Sequence, residues 1–280
     1  MTNHNSAQES AVARFRALHE SGCFILPNPW DIGTARYLEQ AGFEALATTS
    51  AGFAFSRGQA DGAVPCDETL DHIREISQAT TLPTNADFLN GFAGEPEGVA
   101  ANVTRCVATG VAGLSIEDST GDEDHPLFDP ETAVARIKAA RAAIDATGMP
   151  IVLTGRCEAF LVGSAEPMRT VLARLPAYAA AGAECLYAPG VSAPEEIAAI
   201  VRAVAPRPVN FLVSGFNSHF SVAQLADLGV RRISVGSGLA LAAWGAFIRA
   251  ADEMRAKGEF RGLAGGAPFA ELNERFGRRA

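Results

Sequence analysis

The chain has 280 residues, of which 48% are hydrophobic and 20% are charged, and its formal net charge is −9. This composition is typical of a globular protein and is sufficient for one large domain or two small ones. The basic residues are scattered rather than clustered, which argues against nucleic acid as a partner. The sequence has no charge-free apolar stretch of about 18 residues, which argues against a membrane-spanning helix.

The N-terminus and the cysteines predict a cytoplasmic protein. The first residues, MTNHNSAQESAVARF, lack the apolar segment of a secretory signal. The five cysteines are an odd number, are widely spread and include no CxxC pair, which is typical of reduced thiols. The same spacing argues against a zinc site. We expect the residues around His4 to form a disordered tail.

Short β-type runs alternate with longer helical stretches along the chain. The predicted strands are Phe24–Pro27, Ala45–Thr49, Pro83–Asp87, Gly113–Glu117, Ile151–Arg156, Glu184–Ala188, Val209–Val213 and Arg232–Val235. The predicted helices are Gly33–Glu39, Cys66–Gln78, Pro96–Ala108, Pro130–Ala146, Met168–Ala180, Pro194–Val204 and Val222–Asp227. Most helices end in Gly or Pro breakers, which supports these boundaries.

This alternation predicts an α/β protein with parallel strands, and eight units match a (β/α)8 TIM barrel. A doubly wound sheet is the alternative, but its first loop usually carries a Gly-rich phosphate motif, and here that loop reads NPWDIG. We interpret residues 1–280 as one barrel domain, with residues 241–280 as a C-terminal helical extension. That extension packs either on a neighbouring subunit or on its own barrel.

In such barrels the active site lies at the C-terminal ends of the strands. Here those ends are rich in acids, amides and hydroxyls, whereas the strand bodies are mostly apolar. Asn85 and Asp87 stand two residues apart on the third predicted strand, so their side chains point to the same face. A barrel without a site would not need this concentration of polar groups, because burying unpaired charge is costly.

Three acids are the most informative group: Asp61, Asp87 and Glu117. Carboxylates gathered from separate strand ends repel one another unless a cation lies among them. Hard oxygen ligands without a Cys/His cluster favour Mg²⁺, or Mn²⁺, over zinc. The alternative is that acids pair with arginines or cap helices, which we expect for Asp118 and Glu158.

Arg156 ends the fifth predicted strand and could clamp a substrate carboxylate or stabilise an enolate. Its alternative role is a salt bridge to Glu117 or Glu158, and the two roles can coexist. The chain has only two lysines, Lys138 and Lys257, and both fall in helical sequence. A Schiff-base mechanism, which needs a lysine at the site, is therefore disfavoured.

Two further segments carry candidate site residues. His125 lies in the acidic loop EDSTGDEDHPLFD and could shuttle a proton, but a satisfied loop histidine is more common. The segment SVGSGLA after the eighth strand could hold a phosphate, as barrels often do there. A phosphate-binding barrel enzyme therefore remains an alternative.

Four segments in fixed order resemble the isocitrate lyase/phosphoenolpyruvate mutase superfamily: TTSAGFAFSRGQADG, NADFLNGFAGEP, GVAGLSIEDS and GRCEAF. The similarity runs from about Phe24 to Gly258. Members of that superfamily are Mg²⁺-dependent barrels that cleave or form C–C or P–C bonds next to a 2-oxo acid, through a pyruvate-enolate-like species. They commonly form dimers or tetramers that exchange the last barrel helix, so the resemblance implies a homodimer or homotetramer.

The resemblance also implies roles for individual residues. Ser50, with the backbone of Ala51 and Gly52, would hold the substrate carboxylate. Arg156 would face the oxo acid and the enolate oxygen.

In the same resemblance Asp61, Asp87 and Glu117 would surround Mg²⁺, mostly through water. Asn85 stands where the family usually has the first Asp of an Asp-x-Asp pair, typically the direct metal ligand. An Asn keeps a carbonyl oxygen for the metal but removes one negative charge. Either Mg²⁺ binds more weakly here, or the site is retuned for another substrate.

The loop after the fourth strand departs from two branches of the superfamily. It lacks the Lys-Lys-Cys-Gly-His of isocitrate and methylisocitrate lyases and the Lys/Asn gate of phosphonopyruvate-processing members. Its acids, Asp122, Glu123 and Asp124, also disfavour a phosphonate. We expect residues 118–129 to close over the site and exclude water.

The resemblance therefore implies a Mg²⁺-dependent carbon–carbon lyase, 2-methylisocitrate lyase-like or oxaloacetate decarboxylase-like, that acts on a small 2-oxo acid or its adduct. His125, or a water held by the loop, would return the proton. The alternatives are a phosphonopyruvate- or phosphoenolpyruvate-processing enzyme and a non-catalytic 2-oxo acid binding protein.

Overall fold

Eight parallel strands form a nearly closed barrel in the computed structural model, which describes residues 2–277. The strands are β1 Phe24–Leu26, β2 Leu46–Ala47, β3 Thr84–Asp87, β4 Gly113–Glu117, β5 Val152–Arg156, β6 Cys185–Tyr187, β7 Val209–Leu212 and β8 Arg232–Ser234. Neighbouring strands follow the order β1-β8-β7-β6-β5-β4-β3-β2. The predicted (β/α)8 barrel is confirmed, and the doubly wound alternative is wrong.

The helices surround this barrel. They are α1 Thr2–Glu20, α2 Ile32–Gln40, α3 Ser50–Ser56, α4 Cys66–Ala79, α5 Pro96–Val107, α6 Pro130–Ala146, α7 Pro167–Ala180, α8 Pro194–Val204, α9 Val222–Asp227, α10 Gly238–Lys257 and α11 Phe269–Gly277. The seven predicted helices are present, each with bounds within one residue of the prediction. Among the helices of residues 2–277, we find none with the length and apolar character needed to cross a membrane.

The barrel is completed between β1 and β2 by loop contacts rather than by a strand ladder. The amide of Ala47 donates to the carbonyl of Pro27 at 3.0 Å. The side chain of Asn28 accepts from the amides of Val235 and Gly236, at 3.0 and 2.9 Å, and donates to the carbonyl of Thr48 at 2.8 Å. One buried amide side chain therefore ties together the ends of β1, β2 and β8.

Helix α1 replaces the disordered tail that we expected around His4, so that expectation is wrong. Val12 and Phe15 are three residues apart and both are buried, which gives α1 an apolar face against the barrel. A Cβ on Gly113, at the start of β4, would lie 2.7 Å from the ring of Phe15. The glycine therefore permits α1 to pack closely against the N-terminal end of the barrel.

The interior of the barrel is polar around Arg232, which is 2% exposed. Its Nε donates to Asn210 Oδ1 at 2.8 Å, and its Nη2 donates to Thr154 Oγ1 at 3.0 Å. Its Nη1 lies 3.3 Å from Nε2 of His19 on α1. A buried guanidinium is thus held by three uncharged partners on β7, β5 and α1.

The C-terminal helices expose apolar side chains. On α10 these are Leu239, Leu241, Trp244, Phe247 and Ile248. Helix α11 contacts α2 of the same chain, where Gln40 Nε2 donates to the carbonyl of Arg275 at 3.2 Å. The boundary at residue 241 and the exchange of this region between subunits stay predictions.

We expect His72 to make the stability of the fold sensitive to acid. Its ring stacks on Phe53 with centroids 3.8 Å apart, and burial lowers the pKa of His72 to about 4, although the charge of Asp31 opposes this. Below the unfolded-state pKa of about 6.5, the unfolded chain binds a proton that the folded protein excludes. The contribution of His72 is therefore complete above pH 6.5 and is lost as the pH falls toward 4.

The variant His72→Phe keeps the stack and removes the titration. Between pH 7 and pH 4.5, its free energy of unfolding should fall by about 2–3 kcal/mol less than that of the wild type. Urea denaturation at the two pH values measures this difference. His219→Gln, at an exposed position, is the control and should behave as the wild type does. Equal acid sensitivity in His72→Phe and wild type would show that His72 does not remain neutral in the fold.

Candidate active site

Arg156, at the end of β5, is surrounded by carboxylates. Strand register pairs it with Glu117 on β4, and its Nη1 lies 3.3 Å from Glu117 Oε2 and 3.4 Å from Asp87 Oδ1. Its Nε and Nη2 both donate to the carboxylate of Glu158, the latter at 3.1 Å. The predicted salt bridges to Glu117 and Glu158 are therefore present, and Arg156 stands at the centre of the mouth of the barrel.

Asp87 links this cluster to α3. Its Oδ2 accepts from the amide of Ser50 at 2.9 Å, and its own amide donates to Thr48 Oγ1 at 2.9 Å. The pKa of Asp61 is raised, first by burial and then by the charge of Asp87, while a hydrogen bond from Ser50 opposes the rise. The structure thus brings Asp61 to the same end of the barrel as Asp87.

Glu117 is the most strongly perturbed of these acids. Burial raises its pKa to about 8; Arg156 opposes the rise, and Glu158, Asp87 and Asp61 add to it. Its Oε2 is buried and makes no hydrogen bond. Four acidic side chains therefore share the single guanidinium of Arg156, and the raised pKa of Glu117 reflects this surplus of acids.

Asn85 lies below Asp87 on the same inner face of β3, as the period-two spacing predicts. It is 4% exposed, and its Oδ1 has no hydrogen-bond partner. A Cβ on Gly113 would come within 2.8 Å of that oxygen, so the neighbouring strand must carry glycine here. Both Asn85 and Asp87 line a cavity of ≈ 40 Å³ inside the mouth, where one water needs roughly 10–15 Å³.

These residues fit a largely hydrated magnesium ion. Among residues 2–277, no three His, Cys, Asp or Glu side chains are grouped so that they could hold a metal. Mg²⁺, however, usually keeps several waters and takes one or two protein carboxylates. The unpartnered Oδ1 of Asn85 inside the cavity and the surplus of acidic groups around Arg156 fit such an ion. Asp61 and Glu117 do not line this cavity. The roles of Asn85, Asp61, Asp87 and Glu117 as metal ligands stay predictions.

The segment predicted to hold the substrate carboxylate forms the first turn of α3. Thr49 caps this helix by accepting from the amide of Gly52 at 3.2 Å. A Cβ on Gly52 would lie 2.6 Å from Thr49 Cγ2 and 3.2 Å from Trp30. The amides of Ser50 and Gly52 are thus engaged within the chain, and substrate binding by Ser50, Ala51 and Gly52 stays a prediction.

The loop after β4 has a buried base and an exposed tip. At its base, Asp118 Oδ2 accepts from Arg174 Nη1 at 3.0 Å and from the Tyr178 hydroxyl at 2.6 Å, which confirms its predicted pairing with an arginine. Ser119 and Leu127 form an isolated antiparallel bridge.

His125 lies at the exposed tip of this loop and does not line the cavity. Its predicted part in proton transfer would require the loop to move inward. That role and the closure of residues 118–129 stay predictions.

Several polar residues of the cavity had no predicted role, although Asn28 and Tyr187 were expected at strand ends near the site. They are Asn28, Thr48, Ser115, Tyr187, Asn210, Arg232 and Ser234. Arg232 and Ser234 alternate within a strand, and a charged residue in a central strand is unusual. That pattern was a signal for an inward-facing polar set.

The barrel carries hard oxygen donors around one arginine at its C-terminal face. Barrel enzymes bind their substrates at this face, and an arginine there can stabilise negative charge on a small oxygenated substrate. The chain belongs to the phosphoenolpyruvate phosphomutase family, whose model matches residues 15–255, within the isocitrate lyase/phosphoenolpyruvate mutase superfamily. This superfamily consists of lyases and mutases that act on 2-oxo acids, and its members are generally Mg²⁺-dependent. The predicted resemblance is confirmed.

Three relatives illustrate this relationship. A crystal structure from Burkholderia cenocepacia J2315, described as a candidate lyase/mutase, is 48% identical, covers 97% of this chain and 98% of its own, and has a TM-score of 0.94. Oxaloacetate decarboxylase of Bradyrhizobium sp. (strain BTAi1 / ATCC BAA-1182) is 31% identical over 222 residues, 76% of this chain and 73% of the enzyme. The crystal structure of 2,3-dimethylmalate lyase is of a chain 25% identical in sequence. It covers 97% of this chain and 94% of its own, with a TM-score of 0.83.

Proposed function

We propose that this protein is a Mg²⁺-dependent lyase that acts on a small 2-oxo acid or its adduct and breaks a carbon–carbon bond through a pyruvate-enolate-like intermediate. The observation that carries the proposal is the gathering of four carboxylates and one arginine at the mouth of the barrel. Two of the relatives are named as an oxaloacetate decarboxylase and a 2,3-dimethylmalate lyase, which supports carbon–carbon cleavage.

The residues of the mouth have complementary tasks in this reaction. Asp61, Asp87, Glu117 and the carbonyl oxygen of Asn85 would hold Mg²⁺, partly through water. At this position the bound metal would provide Lewis-acid chemistry toward the oxo group. Arg156 stabilises the negative charge that develops on the oxo oxygen as the adjacent bond breaks.

Two other functions remain candidates. A mutase or other phosphonopyruvate- or phosphoenolpyruvate-processing activity is favoured by the description of the matching family model. The exposed acids Asp122, Glu123 and Asp124 in the loop after β4 argue against it, because they repel a polyanionic phosphonate. A non-catalytic 2-oxo acid binding protein is favoured only by Asn85, which removes one charge from the metal site.

Turnover by the purified protein tests the lyase directly. With Mg²⁺, oxaloacetate should be cleaved, as followed by nuclear magnetic resonance, and chelation of the metal should abolish the reaction. Glu117→Gln should lower kcat by about 10²–10³-fold, because it removes a carboxylate that would hold Mg²⁺ and that pairs with Arg156. Glu75→Gln, at an exposed position on α4, is the matched control and should retain wild-type kcat. Rearrangement of phosphonopyruvate without cleavage of 2-oxo acids would identify a mutase, and metal-dependent binding without turnover would identify a binding protein.

Asn85→Asp should tighten Mg²⁺ binding by about tenfold, because it restores a negative charge beside the ion. Calorimetric titration of the protein with Mg²⁺ measures this directly. Asn102→Asp, on α5, adds the same charge on an outer helix and serves as the control. An unchanged Mg²⁺ affinity in Asn85→Asp would place the ion away from Asn85.

We also propose that a second copy of the chain covers the apolar face of α10, giving a homodimer or homotetramer. Trp244 and Phe247 line an apolar groove of ≈ 260 Å³, and Phe247 is 62% exposed. Sedimentation at micromolar concentration should show an oligomer for the wild type and a shift toward monomer for Phe247→Asp. Leu172→Asp, on α7, should sediment as the wild type does. A wild-type monomer at tens of micromolar would contradict the proposal.

A further inference from the structure

Tyr187, at the end of β6, is a titratable group of the cavity that the proposed reaction does not yet use. It is 8% exposed and lines the cavity together with Asp87 and Arg156. Strand register pairs it with Arg156, whose guanidinium carbon lies 5.2 Å from the centre of the tyrosine ring. Burial raises the pKa of Tyr187 to about 12, although Arg156 opposes the rise. A neutral hydroxyl is thus held next to the arginine that faces the substrate.

A chain of hydrogen bonds runs beneath Tyr187 and begins at His19 on α1. The protonation of His19 decides which atom donates in each bond of the chain. His19 Nδ1 lies 2.7 Å from the carbonyl of Phe15. A carbonyl can only accept, so Nδ1 carries the proton. Burial lowers the pKa of His19 to about 3, and the charge of Arg232 lowers it further, so the ring is neutral and Nε2 accepts from Arg232 Nη1.

The remaining hydrogen bonds of this chain run in the same direction, from Arg232 toward Ser234. A guanidinium has no acceptor, so Arg232 Nε donates to Asn210 Oδ1 at 2.8 Å and fixes the orientation of that amide. Asn210 Nδ2 then donates to Ser234 Oγ at 2.9 Å. With a lone pair of Ser234 occupied by Asn210, the hydroxyl hydrogen of Ser234 is left to donate.

Ser234 and Tyr187 line the same cavity, and they lie close enough for the Ser234 hydroxyl to lower the pKa of the phenol. A Ser234 hydroxyl that donates to the phenol oxygen would leave the O–H of Tyr187 to donate into the cavity. The polar column of His19, Arg232, Asn210 and Ser234 therefore leads to Tyr187 at the mouth.

We propose that Tyr187 is the residue that returns a proton to the substrate carbon after the carbon–carbon bond breaks, and that Ser234, Asn210, Arg232 and His19 position its hydroxyl. This inference rests on the proposed lyase function. Tyr187 is a buried residue that lines the cavity, whereas His125, the proton donor expected earlier, lies on the exposed tip of a loop.

The proton transfer balances as follows. In oxaloacetate the bond between C3 and C4 breaks, C4 leaves as carbon dioxide, and the bonding electron pair stays on C3, next to the oxo group. This pair takes the hydroxyl proton of Tyr187 to form a C–H bond. The resulting phenolate is stabilised by the hydroxyl of Ser234 and by the neighbouring charge of Arg156. Water then protonates the phenolate when the product leaves, so each turnover consumes one solvent proton.

Exchange of pyruvate protons in D₂O isolates this step from cleavage, because the same group must remove and return a proton at C3. With Mg²⁺, the wild type should exchange these protons, and Tyr187→Phe should do so at about one hundredth of that rate or less. The kcat for oxaloacetate should fall similarly with little change in KM. Ser234→Ala, which only loosens the hydroxyl of Tyr187, should exchange these protons about tenfold more slowly than the wild type. Tyr37→Phe, at an exposed position on α2, is the matched control and should exchange at the wild-type rate.

Calorimetry with oxalate and Mg²⁺ distinguishes the possible failures. Wild-type exchange in a Tyr187→Phe protein that binds oxalate overturns the proton role and leaves the lyase intact. Loss of oxalate binding in Tyr187→Phe would assign the hydroxyl to substrate binding and would also overturn the proton role. A wild type that binds oxalate but neither cleaves nor exchanges any 2-oxo acid overturns the lyase, and this inference with it.

Discussion

The gathering of carboxylates around Arg156 is the constraint on which the site depends. Arg156 contacts Asp87, Glu117 and Glu158 directly, while Asp61 adds charge from beside Asp87. Such a group is unfavourable by itself, because like charges repel more strongly where water is excluded. The barrel wall holds it together through strand register and through the contact between Asp87 and α3. The same unfavourable charge makes the mouth a suitable place for a cation.

Positive charge lies deeper in the barrel, where Arg232 has uncharged partners. The mouth therefore carries surplus negative charge above a buried positive group. In the proposed function, the metal ion would balance the carboxylates, and Arg156 and Arg232 together would favour an anionic substrate over a neutral one. The polar column around Arg232 also connects α1, at the closed end of the barrel, to the chemistry at the open end.

Much of the fold was predictable because strand–helix alternation and glycine or proline breakers are local signals. Helical sequence was expected around His19, but the extension of α1 toward residue 2 was missed because its apolar face is short. The packing of Phe15 against Gly113 depends on the folded barrel and leaves no local signal. Asp87 and Arg156 were placed correctly at strand ends, since the barrel fixes where those ends meet. The column of Arg232, Asn210 and Ser234 was missed because it joins residues from several strands, which only the closed barrel brings together.

The joint between β1 and β2 distinguishes this barrel from a uniformly laddered one. Across it, the side chain of Asn28 and the amide of Ala47 supply the links that strand pairing provides elsewhere. Because few hydrogen bonds join β1 and β2, we expect local opening at this seam to need less free energy than global unfolding. Because Ser50 follows closely after β2, any opening of this seam would also shift the amide that donates to Asp87 Oδ2 at the mouth.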